Sequence, residues 1–183
     1  MQANHVQPQE VLDFWFGADP KYWFAKDDGF DAEIRERFGP VLEAARAGQL
    51  SAWRESLHGT LALIIVLDQF SRNLYRDSAE AFAHDDEALR LSSTLVAHPD
   101  WNQLSYDEKT FAVMPMMHAE DLQVQEDCIA WMKRIGNANS ERFAIIHRDI
   151  IARFGRFPHR NAVLGRETTP EEQVFLDEGG FAG

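Results

Sequence analysis

The residues best placed to do chemistry cluster where an apolar run ends. Leu61 to Leu67 is unbroken by polar residues, and Asp68, Gln69, Arg72, Asn73 and Arg76 follow it directly. On a helix Asp68 and Arg72 stand one turn apart, as do Gln69 and Asn73, and Arg72 and Arg76. A carboxylate at the end of a buried helix is costly unless paired, so Asp68 is expected to hold an arginine. Three further places set polar groups on apolar faces. His118 and Gln125 fall on the stripe of Leu122, Ile129 and Met132, with Glu120 and Asp121 just beyond Pro115. His147 shares a face with Phe143, Ile150, Ile151 and Phe154. The segment 154–161 packs Arg156, His159, Arg160 and Asn161 among aromatics.

Two chemistries fit these residue types. In one, arginine and asparagine clamp a small anion or a peptide carboxylate, because the guanidinium fork matches carboxylate geometry. In the other, His118 or His147 is a general base, Glu120 orients it, and Arg72, Arg156 or Arg160 stabilises developing negative charge on a small polar substrate. Purely structural roles are open to the same residues: histidines satisfied in a core, Asp68 in a core ion pair with Arg72 or Arg160, arginines tying off helix ends. Convergence favours a site, since groups that resist burial recur at separate inward-facing places. The candidate binding set is Asp68, Arg72, Asn73, His118, Glu120, Gln125, His147, Arg156, His159, Arg160 and Asn161, with binding preferred over catalysis. There is no glycine-rich phosphate loop, no G-x-S-x-G elbow, no H-E-x-x-H and no paired-cysteine zinc spacing. His118, His147 and His159 with Glu120 are conceivable metal ligands, but their spacing does not demand an ion. The reading is no metal and no cofactor.

Helices must position these groups. Pro8 suits the first turn of a short helix that Gly17 closes, and Asp19-Pro20 opens a turn bearing Tyr22, Trp23 and Phe24. Apolar positions 30, 34, 38, 41, 42 and 45 form a helical stripe, kinked at Pro40 and stopped at Gly48. Ser51 is expected to precede a long helix with Trp53, Leu57, Leu61, Ile64 and Leu67 inward; its second half is apolar all round and therefore central. Asp77 with Glu80 and Ser105 with Glu108 have capping-box spacing. The first opens a helix reaching His98-Pro99; Pro115 should kink or break the second, which resumes through Leu122 to Gly136. Asn139 or Ser140 caps the next, with Phe143, Ile150 and Phe154 inward and Gly155 at its end. Thr169-Pro170-Glu171-Glu172 starts a last short helix. No segment alternates with period two, so the expectation is an all-α fold of antiparallel helix pairs in one domain, 1–183. No clean repeat of tetratricopeptide (TPR) length is visible.

Composition narrows the partners. The chain of 183 residues is 45% hydrophobic with 13 Phe and 5 Trp, enough to build a core and incompatible with disorder as its main state. Its formal charge of -12 argues against nucleic acid and anionic membranes. Met1 to Pro8 is polar, Asp13 interrupts the apolar run Val11 to Phe16, and Leu61 to Leu67 is far shorter than the ~20 residues that span a bilayer. A single cysteine, Cys128, fits a reducing, cytoplasmic setting. Residues 142–166 carry six arginines against one acid, and the 17 residues after them carry five acids and no base. An acidic tail docked on a basic segment and an arginine-lined anion site both follow from that.

Five motifs carry a family resemblance: Phe14-Trp15-Phe16-Gly17; Leu67-Asp68-Gln69-Phe70-Ser71-Arg72-Asn73; Pro115-Met116-Met117-His118-Ala119-Glu120-Asp121; Phe154-Gly155-Arg156-Phe157-Pro158-His159-Arg160-Asn161; and Leu164-Gly165-Arg166. The chain resembles an uncharacterised bacterial family, a domain of unknown function with a TPR-like all-helical fold. The resemblance implies a TPR-like stack of helix pairs and no particular reaction. The family commonly has proline where Ser71 stands and serine where Ala119 stands. The first difference questions a helix stop at 71, and the second removes a hydroxyl from the site.

Overall fold

A computed structural model describes residues 6–181. Helices make up 73% of the chain, and among the described residues there is no strand. The polar start read at Met1–Pro8 lies, for residues 1–5, outside the described residues.

Helix α1 (Pro8–Gly17) begins at its proline, and α2 (Lys21–Phe24) is a single turn. Helix α3 (Asp28–Arg46) is capped by Asp27, contains Pro40 and buries Phe30, Ile34, Phe38, Val41 and Leu42. The long helix expected from Ser51 is divided. Ser51–Glu55 is a separate 3-10 turn, and Ser56 caps α4 (Leu57–Ile64) through its side chain. A π-helical segment, Ile65–Phe70, follows and runs without a stop at Ser71 into α5 (Ser71–Leu74). Leu61 to Leu67 is buried throughout, no residue in it being more than 3% exposed. Pattern reading captures that burial because apolar side chains cover every face of the helix.

The Asp77–Glu80 capping box does not form. Asp77 adopts a left-handed backbone (φ 59°), and Ser78 caps a short 3-10 turn, Ala79–Ala81. Helix α6 (Asp85–Val96) starts only at Asp85 and gathers three acids in its first turn, where the helix dipole favours them. A 3-10 turn, Trp101–Gln103, leads to α7 (Tyr106–Met117), where the Ser105–Glu108 box is present. Pro115 does not end α7. Thr110 to Met117 are all buried, and packing on every side outweighs the one backbone donor that proline removes. The break comes at His118. Asp121 then caps α8 (Leu122–Ile135), which Gly136 closes in a left-handed conformation (φ 82°) that favours glycine. Asn137, not Asn139 or Ser140, caps α9 (Ala138–Phe154), and Gly155 ends it. A 3-10 turn, Pro158–Arg160, and α10 (Pro170–Asp177), with its Thr169–Glu172 capping box, complete the chain.

Helix α4 sits at the centre, packed against α1, α6 and α7; α7 packs on α8, and α8 on α9. Short connections join α6 to α7, α7 to α8 and α8 to α9, the pairs that pack on one another in sequence. Two inward assignments fail: Phe143 is 38% and Leu122 46% exposed. Leu122 is the first residue of α8 and Phe143 lies in the second turn of α9, near helix starts where fewer neighbours pack than at mid-helix. Among the described residues no helix is long and apolar enough to cross a membrane.

Candidate functional site

Asp68 sits in the π-helical segment, at 0% exposure. A π turn shifts the register of side chains relative to an α-helix and recurs at functional sites. The Asp68 carboxylate is fully engaged. Oδ2 accepts from Gln69 Nε2 at 2.7 Å, and Oδ1 from Arg72 Nη1 at 3.1 Å and from the ring Nδ1 of His118 at 2.7 Å. Burial alone would raise its pKa, but the neighbouring His118 and Arg72 and these hydrogen bonds hold it at about 2. Burial, and next the positive charge of Arg72, push His118 the other way, below its ordinary value. The pair at neutral pH is therefore a carboxylate and a neutral imidazole. Since an ionised carboxylate only accepts, the His118 proton resides on Nδ1, and Nε2 carries a free lone pair.

His118 terminates α7 and lines a cleft of about 460 Å³. Its Nε2 has no hydrogen-bond partner among the described residues. Arg72 makes a two-pronged contact with Asp85, Nη1 to Oδ1 at 2.8 Å and Nη2 to Oδ2 at 2.9 Å. Arg160 donates to the His118 carbonyl at 3.0 Å and reaches Asp85 Oδ2 at 3.5 Å, while its buried Nε is unpartnered. Both guanidiniums also lie over the Phe82 ring. Burial lowers Arg160 to about 10, which leaves it charged at neutral pH. Among the described residues four carboxylates, Asp85, Asp86, Glu120 and Asp121, line the cleft with Arg160 as the one arginine.

The predicted residues thus fall into distinct groups. His118 and Arg160 line the cleft, and Asp68 and Arg72 stand behind them, in contact with His118 and Asp85. Gln125 supports them: its amide donates at 2.7 Å to the carbonyls of Met117 and Ala119 and fixes the turn that carries His118. Glu120 does not orient a histidine. It accepts from the Phe157 backbone at 2.8 Å and from both Arg166 terminal nitrogens at 2.7 and 2.9 Å. Arg166 in turn donates to Asn161, Asn161 to Glu172, and Arg156 to both Glu172 oxygens. That chain ties the 156–161 loop to α10, so the acidic tail meets the basic segment through Glu172. His147 is held away from the cleft floor by Phe143 O at 2.7 Å, between the rings of Phe157 and Phe181. His159 packs against the same two rings. Burial takes both histidines down to about 4. Asn73 belongs elsewhere, bonded at 2.7 Å to Asp31, which also pairs with Arg76.

Asp85 escaped sequence reasoning. Beside Asp86 it looks like an ordinary acid of a first helical turn, and no local signal marks it as the bridge between two arginines. Among the described residues no three of His, Cys, Asp and Glu are grouped so as to hold a metal ion.

Fold and site define an all-helical protein with a buried Asp–His pair at the floor of an acidic cleft. The chain belongs to a bacterial protein family of unknown function, DUF924, whose model matches residues 11–180. It is similar to a structure of a protein of unknown function from Agrobacterium tumefaciens, 38% identical with a TM-score of 0.89, over 94% of this chain and 97% of that one. None of the curated proteins compared matches it.

Proposed function

We propose that the cleft is an active site in which His118, oriented by Asp68, acts as general base on a small, neutral or cationic polar molecule. The observation that carries this reading is the 2.7 Å contact between Asp68 and His118 Nδ1, with Nε2 left free at the cleft. A buried carboxylate fixing the tautomer of an imidazole is the arrangement that makes histidine an effective base near neutral pH. Among the described residues no serine, threonine, cysteine or lysine lines the cleft, so the base is given water as its partner rather than a side-chain nucleophile. As water adds to an acyl carbonyl its proton passes to Nε2. The tetrahedral oxyanion then collapses, the C–O or C–N bond breaks, and the imidazolium returns the proton to the leaving alcohol or amine. This completes hydrolysis of a small ester or amide and restores neutral His118. Arg160 is the positive group available to the developing oxyanion. Asp86 and Asp121, which no arginine neutralises among the described residues, disfavour an anionic substrate.

A second reading, reversible binding of a small anion or peptide carboxylate, draws support from the unpartnered Nε of Arg160. It is the weaker one, because Arg72 and Arg160 already share Asp85. Either role suits a TPR-like stack in which successive hairpins leave a concave face. A single cysteine, buried and pushed to about 12, is compatible with cytoplasmic residence.

The test is turnover of p-nitrophenyl acetate, followed by a panel of small amides and esters, by the protein and its His118→Gln and Asp68→Asn variants. General-base catalysis predicts turnover that His118→Gln abolishes, with a pH profile that rises to a plateau through a pKa below that of free histidine. Equal rates in the protein and in a folded His118→Gln variant would remove the proposal.

A further inference from the structure

A second cleft, of about 440 Å³, opens on a different part of the molecule and has the opposite chemistry. Trp101, Asn102, Tyr106, Lys109, Trp131, Arg134 and Ile135 line it, and no carboxylate does. The rings of Trp101 and Trp131 meet edge to face at 5.4 Å, from the turn before α7 and the middle of α8. Arg134 lies over the Trp131 ring at 5.1 Å, and Lys109 stands 6.0 Å from the Trp101 ring. Neither cation makes an ion pair among the described residues, although most arginines elsewhere in the chain do and acids are in excess. The indole N–H groups of both tryptophans, the Tyr106 hydroxyl and the Asn102 amide have no intrachain hydrogen bond among the described residues either. Tyr106 is 50% exposed, so its ring is accessible at the cleft.

We infer that this cleft binds a small planar aromatic anion, its ring stacked on the Trp101–Trp131 pair and its negative group held by Lys109 and Arg134. Charge complementarity selects the occupant. Two cations without an ion pair, each resting against an indole ring, and several free donors converge where no acid lines the cleft among the described residues, and the indole rings supply the aromatic contact. The volume falls within the ~300–1,000 Å³ usual for small-ligand sites. The linings of the two clefts differ in charge, since acids outnumber the one arginine at the His118 cleft and only cations are charged at this one. The inference does not depend on the catalytic reading of His118.

The experiment is a titration of the full chain with 2-naphthoate, observed through the indole N–H signals in 1H–15N spectra. The expected result is saturable movement of the Trp101 and Trp131 signals with a Kd of about 1 mM or tighter, and cyclohexanecarboxylate weaker by roughly tenfold or more. Lys109→Ala/Arg134→Ala, two changes on the surface that spare the core, should weaken 2-naphthoate by roughly tenfold or more. Unmoved indole signals, equal affinity for cyclohexanecarboxylate, or unchanged affinity in the double variant would each overturn it. So would a thymidine oligonucleotide that shifts the same signals at lower concentration than 2-naphthoate, which would make the cleft a single-strand stacking platform.

Discussion

Asp68 is where stability and chemistry meet. Removing its carboxylate leaves the buried Arg72 without one partner and frees the His118 ring, so Asp68→Ala should lower unfolding free energy by roughly 3–5 kcal/mol, as expected for breaking a buried pair. Urea denaturation checks this; a loss below about 1 kcal/mol is the value of an exposed pair and would contradict the buried network. Asp68, Arg72, His118 and Arg160 were all legible in the sequence, because each is a charged or titratable group on an apolar face or at a helix end. The pairing among them was not. Glu120, the acid nearest to His118 in sequence, points to Arg166, while the true partner lies fifty residues earlier. Sequence distance carries no information about which acid a loop folds onto. Asp85 shows the same limit from the other side, since its role exists only once α5, α6 and the 158–160 turn have come together.

At the scale of elements, helix starts were readable where a cap and a glutamate three residues on marked the first turn, and were misplaced at Ser56 and Asn137, which cap without that glutamate. Ser105 and Thr169 form the expected boxes, and Ser105→Ala should cost about 1 kcal/mol by thermal denaturation. The same pattern at Asp77 failed because that residue turns left-handed, and a spacing rule is blind to backbone hand. The π-helical segment was invisible for a related reason. Ile65 to Phe70 has no composition that separates a π turn from an α turn; the surrounding packing selects it. Gly59 gives a sharper element-scale test. In a helix interior alanine is normally preferred to glycine by ~1 kcal/mol. Here a Cβ on Gly59 would stand 2.0 Å from the Trp53 carbonyl oxygen, where the 3-10 turn folds back on α4. Overpacking of that kind costs about 1–3 kcal/mol, so Gly59→Ala should lower the melting temperature. A rise would mean that the 51–55 turn is free to move away.

The whole molecule couples these parts to pH. His147 is buried and His159 half-buried, with folded pKa values of about 4, below the ordinary 6.5. Between those values the unfolded chain binds protons that the folded chain refuses, so stability should fall as pH drops from 6.5 toward 4. The limiting slope is about 1.4 kcal/mol per pH unit for each histidine. Asp68 extends the loss to lower pH. Its folded pKa of about 2 means that its contribution is present above the unfolded value of 3.8 and disappears as pH falls toward 2. Acid also relieves the net charge of -12, an opposing effect that salt near 0.15 M, with its ~8 Å screening length, reduces. Unfolding curves at that salt from pH 7 to 4 should therefore show a steady loss, and a flat profile would contradict the buried neutral histidines. The most direct test of the central claim is the protonation state of His118, read from its ring nitrogens in long-range 1H–15N spectra. At pH 7 the structure predicts a neutral ring with its proton on Nδ1 and a bare Nε2 facing the cleft; a proton on Nε2, or a doubly protonated ring, would contradict it.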